Sequence, residues 1–432
     1  MSDRSVEQPA VPSAQRTRPE LAEFLRTSVG LGLVGFGGGV SVLATIERTM
    51  VSHRRWLTER EFVNTATVAQ MLPGGAAANV LAYVGLRFHG VRGALAGYVG
   101  FVAPGAVLVA ALAWLYARFG TVPRADAFLS GLNAALVGII IAITVRMART
   151  GVRRLWQMGV AGTAVLLAML GGAGSLELVF LGISAGLVWD LGIERALLLR
   201  HRRRRWRPAP PVALPEEGKP LPRASAAAAQ DPPRCGSTST LRAIAVAAVV
   251  PVLWSSVAHL VPLAVVFFKT GLGAYGGGFA IIPSLHSDVV ARGWLTERQF
   301  ADAVAVGKLT PGPVLLMATF IGYLRGGFSG ALVSTVAIFV APLFLVVLLA
   351  TWLDRVRSKR WMRAALRGLT PAVVGLMVAA GLTLGRTMQT GAGLAIAAVV
   401  GLTLVRFERL NPVGMLALGG VTRLVLRIFW GI

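Results

Sequence analysis

In this 432-residue chain a lysine, Lys308, stands three positions before Pro311, deep inside the apolar run 300–323. A charge held in lipid is costly and is usually there for function. Earlier in the chain Gln70 stands in the same way three positions before Pro73. Both residues adjoin helix breakers. Pro73-Gly74-Gly75 and Pro311-Gly312-Pro313 interrupt apolar segments, as do the triplets Gly37, Gly38, Gly39 and Gly276, Gly277, Gly278. Proline lacks the N–H a helix needs, and glycine admits backbone conformations other residues avoid. A half-helix that restarts after such a break presents free N–H groups and a positive dipole end, which suits an anion. The three glycines of each triplet, Gln70, Pro73, Gly74, Lys308, Pro311, Gly312 and Pro313 are therefore the expected substrate-binding set, and the chemistry expected of them is oxyanion binding. Asp302, aligned with Asn64, is the candidate for a coupled proton. It is six positions from Lys308, so the two do not face each other on a helix. Each reading has a structural alternative. The glycines would permit close helix packing, Lys308 would snorkel, and Asp302 would be a solvated position near the interface. Lys269 is expected to pair with a carboxylate elsewhere.

Other chemistry is missing. Cys235 is the single cysteine, which leaves no intrachain disulfide and no cysteine metal site. His53, His89, His201, His259 and His286 show no ligand spacing. No nucleophile–base motif is present, and the glycine-rich stretches lack the GxxxxGK[ST] form that cradles a nucleotide. The expectation is a protein that is not an enzyme, with no cofactor and no bound metal, driven by an ion gradient or by the anion's own gradient. A membrane enzyme acting on lipid phosphates would want clustered acid and base groups near one interface, and few are visible. A passive anion channel is the other rival.

The elements that must position these residues are membrane helices. Hydrophobic residues make up 55% of the chain and charged residues 14%, well below the share in soluble domains. The net charge of +24 would suit a nucleic-acid binder. The apolar remainder instead places the chain in lipid with its cations between helices, so membrane lipid and no nucleic acid is expected around it. Six segments of spanning character fall between residues 28 and 192, and seven between 243 and 430. The expected layout is a cytoplasmic tail (1–23), a first transporter repeat (24–194), a basic Pro/Ala-rich cytoplasmic linker (195–242), and a second repeat with one extra leading helix (243–432).

The two sets of segments repeat in sequence. Gly35-Phe36-Gly37-Gly38-Gly39 matches Ala274-Tyr275-Gly276-Gly277-Gly278, and Trp56-Leu57-Thr58-Glu59-Arg60 recurs as Trp294-Leu295-Thr296-Glu297-Arg298. Pro73-Gly74, Gly93-Ala94-Leu95 and Phe101-Val102-Ala103-Pro104 also recur in order, at Pro311, Gly330 and Phe339. Thr58 with Glu61, and Thr296 with Gln299, read as capping boxes that start helices. Arginines crowd the loop after the fourth segment of the first half, but after the third segment of the second. Under the positive-inside rule the halves are then antiparallel, the plan of inverted-repeat transporters. Arg48, Arg54, Arg55 and Arg60 fit that plan if the first segment is re-entrant and turns at its glycines. The predicted fold is thus all-α and polytopic, with two inverted-topology halves of about six segments and broken or re-entrant helices.

The Gly-Phe-Gly-Gly-Gly stretch, Gln70-Met71-Leu72-Pro73-Gly74, Leu309-Thr310-Pro311-Gly312-Pro313 and Ala318-Thr319-Phe320-Ile321-Gly322-Tyr323 resemble the chromate ion transporter family. The resemblance covers roughly residues 24–140 and 261–376, as in a long-chain, two-domain member. It implies a multi-pass protein of the inner (plasma) membrane that exports chromate and so confers resistance. Sulfate, also a tetrahedral dianion, is the usual look-alike substrate. Transport direction and coupled ion stay open, as does assembly, where a homodimer is one option. This chain differs from the usual family pattern by Gly75 after Pro73-Gly74, by Gly39 closing the first triplet, and by Lys308 in place of a glutamine.

Overall fold

The computed structural model describes residues 18–36, 39–120, 122–170, 173–193, 260–388, 390–407 and 410–430. The linker 195–242, the leading segment 243–258, and Gly37 and Gly38 lie outside the described residues. The described chain contains no strand, and its α-helices number fourteen, seven on each side of the linker. The first seven are α1 (Leu21–Val34), α2 (Gly39–Glu47), α3 (Glu59–Met71), α4 (Ala76–Phe119), α5 (Pro123–Gly151), α6 (Leu155–Met169) and α7 (Ser175–Leu187). Their counterparts are α8 (Val261–Leu272), α9 (Ile282–Val290), α10 (Glu297–Leu309), α11 (Met317–Val356), α12 (Arg360–Gly385), α13 (Gly391–Arg406) and α14 (Pro412–Trp430). Among the described residues five stretches are long and apolar enough to cross a membrane: Ala76–Phe119, Pro123–Gly151, Val314–Val356, Arg360–Gly385 and Pro412–Trp430. The protein is an all-α, multi-pass membrane protein.

The repeat extends to backbone detail. Both expected capping boxes form: Thr58 Oγ1 accepts from the Glu61 N–H at 3.3 Å, and Thr296 Oγ1 from the Gln299 N–H at 3.2 Å. The N3 side chains reach back to the Thr58 and Thr296 N–H groups at 2.8 and 3.0 Å. Helices α4 and α11 each fold on themselves at a glycine of almost identical conformation, Gly90 at φ 62°, ψ −147° and Gly327 at φ 61°, ψ −149°. Only glycine adopts that region without strain. Each is therefore a hairpin whose short and long arms touch. A Cβ on Gly85 would strike the Gly93 carbonyl, and one on Gly322 the Gly330 carbonyl.

Equivalent helices meet across the repeats, α4 on α11 and α5 on α12. Tyr98 meets Phe339 with ring centroids 6.0 Å apart. Further along, Tyr116 meets Phe320 at 5.0 Å, and Phe320 lies beside the start of the other long arm. The long arms thus run antiparallel, as inverted halves require. The terminal helices are exchanged: α5 packs on α13 and α14 of the second repeat, and α12 on α6 and α7 of the first. Small residues make these crossings close. Gly131 abuts Gly419, and Gly368 abuts Gly182 and Gly186.

Candidate anion site at the helix breaks

Pro73-Gly74-Gly75 and Pro311-Gly312-Pro313 fall between helices, Gly276–Gly278 form a short 3-10 turn, and these three breaks come together; of the first triplet only Gly39, the first residue of α2, is described. The Gly74 N–H donates to the Ala274 carbonyl at 2.7 Å, and the Gly312 N–H donates to the Gly35 carbonyl at 3.1 Å. The Pro-Gly break of each half is thereby tied to the residues leading into the glycine triplet of the other half. The pattern is reciprocal, like a two-fold interface. Gly74 and Gly312 hold φ 110° and 112°, a left-handed backbone that a side chain would resist. The two Pro-Gly breaks also meet directly, since a Cβ on Gly75 would press on the Pro313 ring at 2.9 Å. Gly75, having no side chain, leaves room for that ring. Gly276, Gly277 and Gly278 form a 3-10 turn with positive φ throughout, and Gly278 lies beside Val314 and Leu315. Helices α4 and α9 restart just after their breaks, α2 begins at Gly39, and the turn Val314–Leu316 leads into α11. Helix starts present free N–H groups.

Lys308 lies in the last turn of α10 and is 5% exposed. Its Nζ sits 5.4 Å from the centroid of the Phe279 ring, the residue that follows the glycine triplet. Among the described residues it has no carboxylate partner and no hydrogen bond. The carbonyl end of α10 favours a cation there, and a ring face contributes up to about 2 kcal/mol to a desolvated one. Among the described residues neither forms a hydrogen bond with the ammonium, which carries three donors. A cation near helix starts is the chemistry that an oxyanion would require.

Gln70 does not mirror Lys308. It is exposed, and its amide turns back to the Ala66 carbonyl at 3.2 Å. Asp302 also differs from the solvated alternative. It is 1% exposed and joins three elements, accepting from Tyr116 Oη on α4 at 2.8 Å and from Asn133 Nδ2 on α5 at 2.6 Å. Asn64, its counterpart, is partly exposed and makes no side-chain hydrogen bond among the described residues. Lys269 pairs with Glu177 at 4.0 Å, with both side chains more than half exposed. A cavity of about 300 Å³ lined by His286, Glu297, Thr383 and Arg386 opens elsewhere, and none of the expected site residues lines it.

Several participants escaped the sequence reading. Phe279 seats the lysine, and Tyr116 and Asn133 hold Asp302. Asn79 donates to the Ala69, Leu72 and Pro73 carbonyls at 3.2, 3.4 and 2.9 Å, satisfying the open end of α3. A polar side chain inside an apolar segment was the available signal for Asn79 and Asn133. Nothing in sequence marked Phe279 or Tyr116.

The sequence profile of a family described as Chromate transporter matches residues 22–189 and 261–424. A chromate transport protein of Cupriavidus metallidurans is 31% identical over 90% of this chain and 88% of its own length. A probable chromate transport protein of Synechococcus elongatus is 30% identical over 85% of each. The chromate transport protein of Pseudomonas aeruginosa is 30% identical over 85% of this chain and 81% of its own. No solved structure matches.

Proposed function

The chain belongs to the chromate transporter family, and from that premise we propose that it exports chromate across the inner membrane by secondary active transport. The observation that carries this reading is Lys308, a buried cation without a counter-ion among the described residues, beside the joined helix breaks. A tetrahedral dianion supplies the acceptors that Lys308 lacks. Backbone N–H groups at the helix starts would complete the cradle, because a helix N-terminus favours negative charge. Antiparallel halves suit alternation: the cross-repeat contacts around the breaks let one half rock against the other about a fixed site. Asp302 is the group we assign to the coupled proton, since a carboxylate within a membrane bundle held by two neutral donors can take up and release one.

The test is chromate accumulation in a chromate-sensitive bacterium expressing the chain. Lower accumulation than in cells with an empty vector is expected, with the benefit lost in Lys308→Met at equal membrane abundance. Unchanged accumulation would remove chromate as substrate. Sulfate, molybdate and phosphate added as competitors in vesicles then identify the oxyanion. Flux that simply follows the anion gradient, with no coupled ion, would mark a passive channel.

A further inference from the structure

Arg423 is a second buried cation, separate from Lys308. It lies in α14, within a stretch of membrane-crossing length, and is 7% exposed. Its Nη1 is buried without a hydrogen-bond partner, and no ion pair reaches the residue among the described ones. A guanidinium carries five donors and keeps its charge under all ordinary conditions. Leaving it unpaired in a helix bundle is costly, so it should have a partner that comes and goes.

The position of Arg423 says which partner. Helix α14 runs antiparallel to α5, since Arg427 reaches Asp126 while Gly419 packs on Ala135. Asp126 lies in the first turn of α5 and takes both Arg427, at 3.8 Å, and Arg298 of α10. One turn further in, the Cβ of Arg423 lies against Gly131, where any side chain would collide with it. Just beyond, Asn133 binds Asp302, and its Oδ1 is also buried without a partner. A helical side chain leans toward the N-terminus of its own helix. For Arg423 that direction is inward, away from Asp126, which is already paired, and toward the level of Asn133. From the end of α5 inward, the order is then Asp126 with Arg298 and Arg427, Arg423, Asp302, and finally Lys308 six positions further along α10.

We propose that Arg423 is a transient binding station for the transported oxyanion, between the charged rim at the start of α5 and Lys308. The inference rests on the transport reading above. A forked guanidinium engages a tetrahedral oxyanion through two parallel hydrogen bonds, which an ammonium cannot do.

The experiment measures chromate uptake into inside-out vesicles, and the melting temperature of the full-length protein with and without chromate, for wild type, Arg423→Gln, Arg423→Lys and Lys308→Met. Arg423→Gln is expected to raise the half-saturating chromate concentration at least about tenfold, the effect of one lost charged hydrogen bond. Without anion its melting temperature should equal or exceed that of wild type, because an unpaired buried charge has gone. Its stabilisation by chromate should shrink. Arg423→Lys should fall between the two. An unchanged half-saturation with a lowered anion-free melting temperature would mark Arg423 as structural and overturn the proposal. If Arg423→Gln fails to reach the membrane, Arg423→Lys decides: a raised half-saturation supports the station, and a wild-type value overturns it. Loss of flux in Lys308→Met with normal Arg423 variants removes only the station. Unaltered flux in Lys308→Met removes the anion site itself.

Discussion

Helices α3 and α10 begin with the same capping box, end at the same kind of Pro-Gly break and donate into opposite repeats through the same backbone group. Their inward chemistry is different. Helix α3 carries Asn64 and an exposed Gln70, whereas α10 carries Asp302 and Lys308, buried at 1% and 5%. Backbone geometry has been retained in both halves, while charge has been placed in one. The two halves share the joined breaks, and the charge carried by one of them gives the pair a polarity that a symmetric pair would not have. Part of the charge on α10 is compensated from the other repeat, whereas Lys308 has no such partner among the described residues. The exchanged helix α5 brings Asn133 to Asp302, and Asp126 to Arg298.

This contrast can be broken in four ways. The largest effect is expected from exchanging the two positions. Lys308→Gln should lower chromate flux by roughly ten- to hundredfold, the consequence of losing a charged contact of ~1.5–3 kcal/mol. Adding Gln70→Lys should not restore it, because that side chain is exposed; restored flux in vesicles would make the halves interchangeable. Next, Asp302→Asn should abolish the response of flux to an imposed pH gradient while chromate–chromate exchange survives. Asn64→Asp should leave both unchanged. Third, Gly368→Leu places a side chain against the Gly182 carbonyl and should destabilise the fold by about 1–3 kcal/mol or more, seen as a lower melting temperature. Smallest, Thr58→Ala and Thr296→Ala should each cost about 1 kcal/mol of stability and by similar amounts, since the two caps are alike. A cost confined to one of them would mean the scaffolds have diverged as well.

Much of the scaffold was legible because it is written in local rules. A threonine followed three residues later by Glu or Gln starts a helix wherever it stands, so both caps could be read directly. Pro-Gly pairs and the triplet Gly276 to Gly278 interrupt helices for equally local reasons. Unequal arginine loops disclosed the inverted halves. The hairpins within α4 and α11 were less visible. Gly90 and Gly327 fall between apolar segments, and only their shared backbone conformation shows that the arms fold back in contact. What joins residues distant in sequence stayed hidden. The burial of Asp302 was not legible on its own helix because Tyr116 and Asn133 come from the other repeat. Gln70 read as a partner of Lys308 because alignment reports equivalent position, not equivalent burial. Arg423 was a visible charge in an apolar segment, but that no described residue pairs with it is a property of packing.

The most direct test of the asymmetric anion site is chromate flux in inside-out vesicles for Lys308→Met beside Gln70→Met, at matched amounts of folded protein. The account predicts flux near background for Lys308→Met and near wild type for Gln70→Met. Equal losses in both, or wild-type flux in Lys308→Met, would contradict it.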